Sequence, residues 1–153
     1  MEDLSLHILD IVENSLSASA KTIEIRIDED AEHDLLVIEI VDDGKGMDAE
    51  TQQKALDPFF TTRTTRRVGL GLPLLAQAAR ECEGELQLAS GPGKGTKVRA
   101  VFRYSHPDRK PLGDIYETIR TIITGRPEIE LRFEHRKGDS IYYFDTRDRE
   151  SND

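Results

Sequence analysis

Residues 35–48 read LLVIEIVDDGKGMD, and this stretch decides the fold. LLVIEIV is rich in β-branched side chains and broken only by Glu39, the pattern of a strand near the middle of a sheet. DDGKGMD then stops it abruptly with a turn whose glycines reach backbone angles closed to most residues. Asp42, at the strand's end, can accept a hydrogen bond from an amine. Gly44 and Gly46 remove side chains that would keep a flat group away, although a bare turn explains the same letters.

Upstream, residues 22–27 alternate Ile23, Ile25 and Ile27 against Glu24 and Arg26, and the polar turn EDAEHD joins this strand to the central one. Residues 4–18 precede it and place Leu4, Ile8, Leu9, Ile11, Val12 and Leu16 on a wide apolar arc of a helix. Downstream, residues 50–57 form a short helix, and Pro58 begins a polar loop containing PFFTTRTTRR. GLGL at 69–72 opens a helix running to about Glu81. Pro73 fits its first turn, where a missing N–H is harmless, and Gly84 closes it. Residues 85–89 are a strand, SGPGKG a turn, and 96–104 a longer strand with Val98, Ala100 and Phe102 on one face. Helices packed on one side of a mixed, mostly antiparallel sheet make an α+β fold, a two-layer α/β sandwich.

SHPDRKPLG, residues 105–113, is polar and twice interrupted by proline, and it divides a first unit, 1–104, from an extension, 105–153. DIYETIRTIITG reads as a helix stopped by Gly125 and Pro127. IELRFEH and SIYYFDT read as two strands joined at Lys137 and Gly138. About 40 residues are few for an independent core, so the extension is expected to dock on the first unit. The final RDRESND is expected to be disordered.

A chain of 153 residues with 37% hydrophobic and 33% charged side chains is long enough for a real core. Its formal charge of -9 argues against a general nucleic-acid or anionic-membrane surface. No apolar run approaches the roughly 18 residues of a membrane span, and MEDLSLHI does not resemble a secretory signal. The single cysteine, Cys82, excludes an intramolecular disulfide and a cysteine-based metal cluster. It reads as a partly buried helix residue, and the expected setting is a reducing, cytoplasmic one.

On the first helix, His7, Asp10, Asn14 and Ser17 fall within an arc of about 80° opposite the apolar stripe, with Glu13 further round. An Asn amide oxygen and a carboxylate one turn apart can hold a hydrated Mg²⁺ or orient a water, and a solvated helix face fits as well. RRVGLGLP opens a helix with glycines, so its free amides and dipole can receive phosphate oxygens, with Arg63, Arg66 and Arg67 adding positive charge in an acidic protein. It lacks GxxxxGKS, so it is not a P-loop, and it does not follow a first strand as a dinucleotide fingerprint would. A loop bordered by a helix cap is the plain alternative. GPGKGT, residues 91–96, is by itself a hairpin turn, though the Thr96 hydroxyl can donate or accept near a base.

Taken in order, ENS at 13–15, DDGKG at 42–46, DPFFTT at 57–62, GLGL at 69–72 and GKGT at 93–96 resemble the Bergerat-type ATP-binding domain of gyrase, Hsp90 chaperones, sensor histidine kinases and MutL proteins. The resemblance covers about residues 4–104. The DPFFTTR form, followed so soon by GLGLP, looks most like bacterial histidine kinases. It implies ATP and Mg²⁺ as ligands, with Asn14 on the metal and Asp42 on the adenine amino group. It sets Gly44 and Gly46 against the base, with Thr96 supporting that contact, and Gly69 and Gly71 at the phosphates. Phe59 and Phe60 would anchor the front of a lid, and Met47, Arg63, Leu70 and Leu72 complete the implied nucleotide contacts.

Three features depart from that pattern. A histidine kinase carries a phosphoacceptor histidine on a helical segment upstream, whereas here the asparagine helix begins almost at once, so the acceptor is expected on a partner protein. His7 fits a pocket edge better than an acceptor. The glycine common shortly before GLGL is replaced by Arg67 and Val68. Hydrolysing relatives use a glutamate one turn before the asparagine, where this chain has the shorter Asp10, with Glu13 as the rival base. The expected function is therefore Mg²⁺-dependent ATP binding coupled to phosphorylation of a partner or to slow hydrolysis. The alternatives are a serine kinase of the anti-sigma-factor type and an ATP-controlled interaction switch without chemistry.

Overall fold

The computed structural model describes residues 3–57 and 71–147. Helix α1 (Leu4–Ser17) buries Leu4, Ile8, Ile11, Val12 and Leu16, the three-and-four spacing that puts one stripe against a sheet. Its first free amides are satisfied from far along the chain: Leu4 N–H donates to the Pro111 carbonyl and Ser5 N–H to that of Leu112, both at 2.9 Å.

Strands β1 (Thr22–Asp30) and β2 (Leu35–Asp42) form an antiparallel hairpin, with Ile25 opposite Ile40 and Ile27 opposite Ile38. Strand β1 runs three residues past Ile27, because pairing with β2 continues through the polar Asp28, Glu29 and Asp30. The short helix α2 (Ala49–Ala55) is capped by Asp48, whose carboxylate accepts from Thr51 N–H at 2.8 Å. Helix α3 (Gly71–Glu81) buries Leu72, Leu75, Ala76, Ala78 and Ala79. The left-handed residue beyond it is Glu83, at φ 59°, and not Gly84. Gly84 is needed for another reason, since a Cβ there would run into the Val101 carbonyl of the neighbouring strand. Cys82 is fully buried, at 1% exposure.

Strands β3 (Glu85–Ser90) and β4 (Thr96–Arg103) pair antiparallel, and β4 pairs with β2. Beyond them, helix α4 (Ile115–Gly125) buries Ile115, Ile119 and Ile122, and strands β5 (Glu130–Lys137) and β6 (Ser140–Asp145) form a hairpin. Strand β5 lies parallel to β1, so residues 130–145 extend the sheet, whose order among the described residues is β3-β4-β2-β1-β5-β6. Among these strands only the β1–β5 pair is parallel. Ile115, Ile119, Ile122, Leu131 and Phe133 join the same apolar cluster as α1, β1 and β2.

Helices α1, α3 and α4 cover one face of the sheet. The other carries charges, with Glu39 facing Arg26 at 3.7 Å and Arg99 at 3.3 Å. Such exposed pairs contribute little stability and mainly keep the face wet. No helix among the described residues is long and apolar enough to cross a membrane. The final residues, 148–153, lie outside the described chain.

Candidate functional site

Strand pairing brings two sequence motifs together, because the β2–β4 register sets Asp42 opposite Thr96. Above them lies a cavity of about 420 Å³, floored by Ile40, Asp42, Thr96 and Val98 and roofed by Ile11, Asn14 and Ser15 of α1. Gly46, Met47, Lys54 and Leu72 complete its rim. A concave, mostly apolar space with a few converging polar groups is the usual form of a small-molecule site.

Asp42 is fixed at both oxygens. Its Oδ2 accepts a 2.6 Å bond from Ser15 Oγ, and its Oδ1 accepts from Gly44 N–H at 2.9 Å. The Ser15 hydroxyl also lies 3.3 Å from the Ile11 carbonyl, but it has one proton, and the shorter, charge-assisted contact takes it. Each carboxylate oxygen keeps a lone pair for a further donor. The adjacent Asp43 turns away and accepts from the amides of Lys21 and Thr22 at 2.8 and 2.9 Å. Those bonds, the Thr22 amide first, hold the Asp43 carboxyl below the usual range and tie the turn to the start of β1.

The glycine turns are stitched to each other. Lys45 N–H donates to the Ala18 carbonyl and Gly93 N–H to the Lys45 carbonyl, at 2.9 and 2.7 Å. A Cβ on Gly44 would sit 2.8 Å from the Ala18 oxygen, and Gly46, at φ 73°, has the Gly91 carbonyl where a Cβ would go. Ser90 closes the network. Its hydroxyl accepts from Met47 N–H at 2.9 Å, donates to the Gly95 carbonyl at 2.7 Å and lies 2.9 Å from Thr96 Oγ1. Gln52 Nε2 bonds the carbonyls of Met47 and Ser90 at 3.0 and 3.1 Å.

Asn14, Asp42, Gly46, Met47, Leu72 and Thr96 thus share one cavity, with Gly44 in the turn beneath it. Asp10 and Glu13 are half-buried on α1 and do not line it. The polar arc of α1 is divided: Asn14 lines the cavity, whereas the start of α3 packs against the His7 and Asp10 part of it. A Cβ on Gly71 would lie 2.6 Å from Asp10 Cβ and 2.8 Å from the His7 carbonyl oxygen. The amino end of α3 thus lies beside Asp10; His7 is 1% exposed, and Ser17 faces solvent. Phe59, Arg63, Gly69 and Leu70, with the basic loop containing them, lie outside the described residues. Among the described residues, no three histidine, cysteine or acidic side chains converge on a cation site, so a Mg²⁺ ion here would need ligands from phosphates and water besides Asn14.

Sequence reasoning missed Ser15, Gln52, Ser90 and Lys54. Ser15 follows Asn14 directly and was readable only as part of ENS; the other three carry no pattern, since their roles depend on which turns meet in space.

Residues 2–106 match the family described as histidine kinase-, DNA gyrase B-, and HSP90-like ATPase. The chain is 40% identical over 95 residues to the sensor protein kinase FleS of Pseudomonas aeruginosa, covering 62% of this chain and 23% of that protein. It is 33% identical over 96 residues to sporulation kinase C of Bacillus subtilis, covering 61% and 22%. The anti-sigma F factor of Thermoanaerobacter pseudethanolicus is 42% identical over 75 residues, covering 48% of each chain. The matched region therefore spans less than half the length of any of these relatives.

Proposed function

The chain belongs to the histidine kinase-, DNA gyrase B- and HSP90-like ATPase family, and we propose that it binds ATP with Mg²⁺ in the α1–β2–β4 cavity and passes the γ-phosphoryl group to a partner protein. The observation carrying this reading is the Asp42 carboxylate, held between Ser15 and Gly44 at the floor of an apolar cavity of about 420 Å³. An exocyclic amine can donate to it while Ile40, Val98 and Met47 enclose the heterocycle. The absence of side chains at Gly44 and Gly46 keeps the turn close, and Thr96 offers a second polar contact. When bound, Mg²⁺ neutralises charge on the transferring phosphoryl group. Asn14 would supply one ligand to it, and the amino end of α3 would face the phosphates.

The four histidines of this sequence stand apart from the cavity. His7 is buried, His33 Nδ1 bonds Asp30 at 2.8 Å, and His106 Nδ1 accepts from Asp108 N–H at 3.0 Å. His135 lies between Glu29 and Tyr116. None of the four lines the cavity. The likeness to two named kinases favours a kinase, and that to an anti-sigma F factor keeps a serine acceptor open. A reducing, cytoplasmic setting belongs to the same proposal.

The second reading is slow hydrolysis or a chemically silent switch. Asp10 supports it, because its Cβ packs against Gly71 and the residue does not line the cavity, and a small displacement of a base costs much rate. ATP labelled on the γ-phosphorus, added to a cell extract with this protein, tests the main reading. Label is expected on one partner protein, and it should be lost with Asn14→Ala. Label retained on the chain itself would overturn transfer to a partner, and free phosphate alone would favour the second reading.

A further inference from the structure

We propose, resting on the reading of the cavity as a nucleotide site, that Ser90 is a positioning residue for ligand specificity. By taking the hydroxyl proton of Thr96 it leaves the cavity floor with hydrogen-bond acceptors alone, and such a floor selects an exocyclic amine over an oxo group.

Ser90 Oγ has one hydrogen and two lone pairs. The Met47 N–H, at 2.9 Å, can only donate, and the Gly95 carbonyl, at 2.7 Å, can only accept. The first takes a lone pair and the second takes the hydrogen. One lone pair remains on Ser90 Oγ, and Thr96 Oγ1 lies 2.9 Å from it. Thr96 is therefore the donor in that contact, and toward a ligand its hydroxyl can only accept.

Asp42 adds no donor. Its two oxygens accept from Ser15 Oγ and Gly44 N–H, and the one Ser15 hydrogen is spent there. Strand register sets Asp42 opposite Thr96, so two acceptors stand side by side in a floor whose other residues are Ile40 and Val98. Gln52 Nε2 serves the carbonyls of Met47 and Ser90 at 3.0 and 3.1 Å, which holds Ser90 in place. Among the described residues, the lining side chains with N–H groups are Asn14 and Lys54, on the roof and the rim. The cavity is thus polarised, with acceptors at the floor and these donors away from it.

An amine fits that floor and an oxo group does not. A purine amine brings two N–H groups, one for Asp42 and one for Thr96. An oxo group in its place sets lone pairs against a carboxylate and against a hydroxyl whose hydrogen is already committed. A site built around one hydrogen-bonding partner rejects an analogue lacking it more strongly than it rejects a change of size. With its hydrogen free, Thr96 could rotate its hydroxyl to suit either group; Ser90 removes that freedom.

Isothermal titration of the full chain with ATP and with inosine triphosphate, which carries an oxo group in place of the amine, gives the test. The wild type should bind ATP at least about a hundredfold more tightly. Ser90→Ala returns the hydrogen to Thr96, so inosine triphosphate should bind it at least about fivefold more tightly than it binds the wild type, with no gain for ATP. A merely structural role would not produce that gain, since a loosened turn weakens both nucleotides together. Thr96→Val keeps the Ser90 bonds to Met47 and Gly95 and should narrow the ratio by weakening ATP, while Thr96→Ser should keep the ratio; this pair serves if Ser90→Ala misfolds. A wild type that binds neither nucleotide would overturn the nucleotide reading and this inference with it. A wild type that binds ATP, with a ratio unchanged by Ser90→Ala and Thr96→Val, would overturn this inference alone.

Discussion

The Ser15 hydroxyl on α1 and the Asp42 carboxylate at the end of β2 are joined by a 2.6 Å hydrogen bond that ties the helix layer to the sheet at the cavity floor. Ser15 is 5% exposed, so no solvent can readily replace it. A hydrogen bond to a charged group contributes about 1.5–3 kcal/mol. Ser15→Ala should therefore weaken ATP binding at least about tenfold by releasing Asp42 from its orientation, and Asp42→Ala should weaken it further. Isothermal titration measures both, with a urea midpoint to separate lost binding from lost folding. Unchanged affinity in both variants would reject the pocket assignment.

Asn14 and Asp10 sit one turn apart on α1 but in different surroundings, Asn14 on the cavity and Asp10 against Gly71. Asn14→Ala should abolish the gain in ATP affinity that Mg²⁺ confers while leaving metal-free binding within about twofold, because one metal ligand and no base contact is removed. Asp10→Asn should retain ATP binding and reduce phosphate release at least about tenfold if this carboxylate orients the water. Equal release by wild type and the Asp10 variant would remove Asp10 from the chemistry.

Much of this was legible locally. The β-branched run at 35–41 gave a central strand, and the order of five short motifs carried the family, because each element is specified by its own residues and spacing. What was not legible depends on packing between distant segments. His7, Asp10 and Asn14 read as one polar wall because nothing in α1 announces that Gly71 will pack against Asp10 and leave only Asn14 on the cavity. Ser90 is an unremarkable serine until Met47, Gly95 and Thr96 converge on its hydroxyl. The extension was expected to dock on the first unit, but the parallel pairing of β5 with β1 has no signal in either strand and emerges only when α4 spans the gap between sheet positions.

The glycines offer a graded test of that packing. Gly93 and Gly46 both have positive φ, 75° and 73°, but a Cβ on Gly93 would meet nothing within 4 Å, whereas one on Gly46 meets the Gly91 carbonyl. Gly93→Ala should cost about 1 kcal/mol from backbone strain alone. Gly46→Ala adds a collision between two backbones and should cost about 3 kcal/mol or more. Urea denaturation compares them, and equal losses would mean that the turn-to-turn contact relaxes freely.

Acid stability should depend on Asp145, which lies buried at the end of β6. The Arg147 side chain bonds its Oδ2 at 2.8 Å, the Arg147 amide bonds Oδ1 at 2.9 Å, and these contacts, the side chain first, lower its pKa to about 2. The folded value is below the unfolded one, so the unfolded chain binds more protons across this range. The stabilisation is fully present above about pH 4 and is lost as pH falls through about 2. Asp145→Asn should lower the urea midpoint at neutral pH and flatten its fall between about pH 4 and pH 2. A variant whose midpoint falls as steeply as the wild type's over that interval would show that other carboxylates carry the acid transition.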